Sequence, residues 1–99
     1  MKLAELVQRL DSFGDDLTIY IESEKAWCES SEVLVVPRSK GNDLQNSHRT
    51  FKYFLEIDLA KEAVEVWSDW NDRIPTNSEK CNAILYYAEN DAYLQNELI

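Results

Sequence analysis

An α+β fold, with a small three-stranded antiparallel sheet packed against helices in the order α-β-β-β-α-α, is what this 99-residue sequence predicts. Three observations carry that expectation. Apolar residues recur at helical spacing near the start of the chain, from Leu3 to Leu10, and again from Leu59 onward. Between these stretches lie three short runs rich in β-branched and aromatic residues. Only two glycines and two prolines are present, too few for the many tight turns of an all-β domain. A chain of this length can bury about two-thirds of its unfolded surface, enough for one modest core, so residues 1–99 are read as a single domain.

Each element has its own signal. Leu3, Leu6, Val7 and Leu10 predict a helix over 2–12, closed by the glycine of Phe13-Gly14. Leu17-Thr18-Ile19-Tyr20-Ile21 predicts a strand, and Val33-Leu34-Val35-Val36 a second one stopped by Pro37. The polar segment from Glu24 to Glu32, holding Trp27, links them as a loop. Residues 37–49 form the longest polar stretch and are expected to be a surface loop. Thr50 to Ile57 predicts a third strand with Phe51, Tyr53, Leu55 and Ile57 on one face, although Phe54 breaks the alternation.

Asp58 can then cap a helix from Leu59 to Asn71 whose apolar positions are Leu59, Ala63, Val66, Trp67 and Trp70. A hairpin turning at Ala60-Lys61-Glu62 is the competing reading of the same residues. After Ile74-Pro75, Thr76 and Glu79 have the spacing of a capping box. Cys81, Ile84, Leu85, Ala88 and Ala92 share one face of the last helix, expected to reach Glu89 or extend toward Gln95.

Charge narrows the function classes. Nineteen acids against ten bases leave a net charge of −9. Residues 1–36 hold eight acids and three bases, 37–52 one and four, and 53–99 ten and three. Such a field repels nucleic acid and anionic membranes and attracts basic surfaces. No apolar run approaches membrane-spanning length, and the first residues lack the apolar core of a signal peptide. Cys28 and Cys81 form no metal-type or redox spacing, so a cytoplasmic setting with both thiols reduced is expected, with Cys81 in the core.

The usual marks of catalysis are missing. His48 is the single histidine and stands in the polar loop. No glycine-rich phosphate loop, nucleophile elbow, zinc set or calcium loop occurs. No cofactor and no metal is therefore expected, and a binding protein is expected rather than an enzyme.

The informative pattern lies on the helix after the third strand. Asp58, Glu62, Glu65, Asp69 and Asp72 are spaced by four, three, four and three residues. At about 100° per residue they fall within roughly 40° of one line, about 21 Å long. Like charges at this spacing destabilise a helix by ~0.2–0.5 kcal/mol per pair, and no lysine or arginine interrupts the row. Asp69 and Asp72 also stand at the wrong end of the helix dipole. A row that opposes folding is what a docking face for a basic partner looks like. The plain alternative is a solvated face of an acidic protein. Tyr86, Glu89 and Tyr93, with Asn90, form a second candidate sector on the last helix, since tyrosines beside acids suit arginine-rich surfaces. There the alternative is that the tyrosines merely cover the edge of the core.

Tyr53-Phe54-Leu55-Glu56, Val64-Glu65-Val66-Trp67, Pro75-Thr76, Glu79-Lys80-Cys81 and Tyr86-Tyr87-Ala88-Glu89-Asn90-Asp91-Ala92-Tyr93 together resemble a family of small uncharacterised bacterial proteins. That family looks like the immunity partners of secreted toxins, including those of contact-dependent growth inhibition systems. The resemblance covers roughly the last half of the chain. It implies an inhibitor that covers a toxin's active site, and it carries no catalytic role. The expected partner is thus a cognate protein with a basic surface, plausibly a nuclease toxin. Two other readings stay open: an intracellular adaptor or homo-oligomeric subunit, and an acidic nucleic-acid mimic.

Overall fold

A computed structural model describes residues 1–40 and 50–91 of the chain. Most of the loop expected at 37–49, including His48 and Arg49, lies outside the described residues, as do Ala92, Tyr93 and any extension of the last helix toward Gln95. Among the described residues the order is α1 (Leu3–Gln8), β1 (Leu17–Glu22), β2 (Val33–Pro37), β3 (Phe51–Glu56), α2 (Ile57–Asn71) and α3 (Asn77–Asn90). Short 3-10 turns at Leu10–Ser12 and Arg38–Lys40 complete it. The predicted α+β architecture and element order are observed.

The sheet is antiparallel throughout, with β1 in the middle and strand order β2-β1-β3. Central placement agrees with the burial of β1, in which Thr18 to Ile21 are all buried. Successive side chains of a strand point to opposite faces. Ile19 and Ile21 enter the main core, while Thr18 and Tyr20 are buried on the other side. Val35 and Val33 pair with Ile19 and Ile21 and extend the apolar face. Pro37 does not stop β2 but forms its last residue, opposite Leu17; a strand end on a sheet edge tolerates its missing N–H.

Phe54 breaks the alternation of β3 for a specific reason. Ile19 pairs with Leu55 and Tyr20 with Tyr53, so Phe54 is an extra residue, a β-bulge. The bulge lets Phe54 and Leu55 both enter the core, and it leaves Tyr53 half exposed on the opposite face, edge-on to Tyr20 at 6.3 Å. Trp27, from the β1–β2 loop, packs edge-on against Phe54 at 5.2 Å. Trp27 is partly buried against the core.

α1 is shorter than its apolar spacing predicts. The α-helix ends at Gln8, and the 3-10 turn that follows keeps Leu10 buried. Gly14 does not close it: its φ is not positive. The first turn of α1 is held by carbonyls of the β1–β2 loop. Leu3 N donates to Ser31 O and Ala4 N to Glu29 O, both at 2.9 Å.

α3 follows its sequence signal closely. Glu79 N donates to Thr76 Oγ1 at 3.2 Å, and Thr76 N donates to Glu79 Oε1 at 2.9 Å, completing the capping box. Cys81 and Ile84 are buried, Leu85 and Ala88 pack at the core's margin, and α3 touches both α1 and α2.

The two thiols differ in kind. Burial, followed by the charge of Glu29, pushes the Cys81 thiol up to about 11. Cys28 is exposed, and hydrogen bonding from the Ser30 hydroxyl, 3.1 Å away, lowers its thiol. An aromatic disulfide reagent at pH 8 should therefore modify one thiol per chain in the native state and two in denaturant. Rapid native modification of Cys81 would contradict the packing of α3.

Candidate functional site

The acidic row is built by the way α2 meets the core. The helix begins at Ile57, so Glu56 rather than Asp58 is its N-cap residue, and no side chain caps it. Asp58 sits in the first turn, where a carboxylate gains from the helix dipole, and its Oδ1 accepts from Leu59 N at 2.8 Å. The buried residues are Ile57, Ala60, Ala63 and Trp67. With Ile57 at zero and about 100° per residue, these centre near 290°, whereas Asp58, Glu62, Glu65 and Asp69 centre near 110°. The carboxylates thus point directly away from the core, and all four are exposed. Asp72 is exposed too, but it is the C-cap residue with φ 52°, a left-handed backbone that turns the chain off the helix line.

The apolar stripe is rotated from its expected place. Ala60 is fully buried in the core, while Leu59 packs only at its margin. Trp70, expected in the core, is 50% exposed.

An open recess of about 500 Å³ lies along the acidic face, lined by Asp15, Asp58, Lys61, Glu62, Glu65, Val66 and Asp69. Five carboxylates therefore share it with one ammonium. Lys61 bridges α2 to the preceding segment: its Nζ donates to Phe13 O at 2.7 Å and to Asp15 Oδ1 at 2.8 Å. Asp15 is the site residue that sequence reasoning missed, since a contact across 46 residues has no local signal. Among the described residues no group of His, Cys, Asp and Glu could hold a metal ion. The carboxylates are strung along an axis rather than converging on a point.

The second candidate sector is separate. Tyr86, Glu89 and Asn90 are exposed on α3, and Asn90 Nδ2 donates to Tyr86 O at 3.0 Å. Glu89 lines a different recess, of about 480 Å³, with Lys25, Ala26 and Trp27. Tyr93 lies outside the described residues.

The turn joining α2 to α3 is tightly held. The Arg73 guanidinium lies 4.8 Å over the Trp67 ring and binds both carboxylate oxygens of Glu79, one of them at 2.7 Å. Ser68 Oγ donates to Arg73 O at 2.9 Å. Pro75 is buried, while Ile74, between them, is 85% exposed.

Hydrogen bonding from Arg73, then from the Thr76 amide, holds the Glu79 carboxyl at about 2, below its ordinary 4.5. A depressed folded-state value contributes stability that is complete above the unfolded value and is lost as pH falls through the folded one. That loss belongs to the window from 4.5 down to about 2. Glu79→Gln should flatten this part of a stability-versus-pH curve while leaving the slope above pH 5 unchanged. An unaltered acid limb would show that the pair adds nothing to folding.

These features define a small α+β domain with an acidic outer face and a hydrogen-bonded helix–helix turn. The chain belongs to the family described as a domain of unknown function (DUF7716), whose model matches residues 1–96. No curated protein and no solved structure matches it. Among the described residues no helix is long and apolar enough to cross a membrane.

Proposed function

We propose that this chain is a protein-binding inhibitor, an immunity protein that neutralises a cognate bacterial toxin by seating the acidic face of α2 on a basic surface of that toxin. It acts by occupancy rather than by catalysis, in the cytoplasm, without cofactor or metal. One observation supports this reading above the others: Asp58, Glu62, Glu65 and Asp69 are all exposed and face directly away from the core, forming one negatively charged line along the helix. Tyr86, Glu89 and Tyr93 are proposed as a secondary contact. A nuclease is the toxin class this surface suits, since a cleft that binds phosphates is itself basic.

The test is to recover the partner from the native cell and measure association at two ionic strengths. Steered association slows steeply with added salt, because the Debye length shrinks from about 30 Å at 0.01 M to about 8 Å at 0.15 M. The expected result is a markedly slower on-rate at the higher salt with a weaker change in off-rate. A salt-independent on-rate would remove the electrostatic reading.

Homotypic assembly is a second reading, favoured by the exposure of Trp70 and Ile74. Sedimentation of the isolated chain separates the two, since a stable dimer buried at these residues belongs only to the second.

A further inference from the structure

We draw no further inference here: the strongest candidate, the recess beside the β1–β2 loop where the exposed Cys28 thiol lies with Lys2, Lys25, Ser30 and Ser31, rests on a lone cysteine, and among the described residues no second feature points to a ligand there.

Discussion

Replacing Glu62, Glu65 and Asp69 by lysine is expected to slow association with the cognate partner by roughly 10- to 1,000-fold at low salt. Removing a field of one sign abolishes the steering, and reversing it repels the basic surface. The corresponding glutamine variants should lose steering without adding repulsion, so they should fall between wild type and the lysine triple. Glu65→Lys with Asp69→Lys should already show the same direction. Folding should survive, because all three side chains are exposed and face away from the core. Lysine at 62 would also face Asp58, converting a like-charge neighbour into an attractive one. The decisive measurement is the on-rate as a function of ionic strength. If the lysine triple folds and associates at the wild-type rate, the carboxylates are only wetted surface.

The largest effect on stability is expected at Ile84. It is 0% exposed in the main core, on the helix that packs against both α1 and α2. Ile84→Ala removes buried methyl groups and leaves a cavity, at about 2–5 kcal/mol. A domain of this kind is stable by only about 5–15 kcal/mol, so the variant should show a large fall in urea midpoint with little change in slope. Ile74→Ala supplies the comparison. The same residue type, 85% exposed in the α2–α3 turn, should shift stability by no more than about 0.5 kcal/mol. Similar losses for the two variants would mean that α3 does not sit as described.

Much of this fold was legible in the sequence because its signals are local. The alternation in β1, the capping box at Thr76 and Glu79, and the apolar face of Cys81, Ile84, Leu85 and Ala88 each depend on residues within a few positions of one another. The acidic row was legible for the same reason, since helical pitch alone places its members. The errors came from long-range packing. Weighting large apolar residues put Trp70 in the core, whereas the buried face of the helix runs through Ile57, Ala60, Ala63 and Trp67 and leaves Trp70 50% exposed. The bulge at Phe54 depends on the register with β1, which no local pattern reports. Asp15 joins the rim of the recess only through Lys61, far away in sequence.

The way α1 is anchored ties its persistence to a distant part of the chain. Six residues are too few for a helix to persist alone in water. Its leading amides, at Leu3 and Ala4, rest on carbonyls that the β1–β2 connection brings together. The helix therefore depends on that connection for its first turn. Deuterium should enter those two amides no more slowly than it enters the connection that holds them, and any mutation loosening that connection should release both at once.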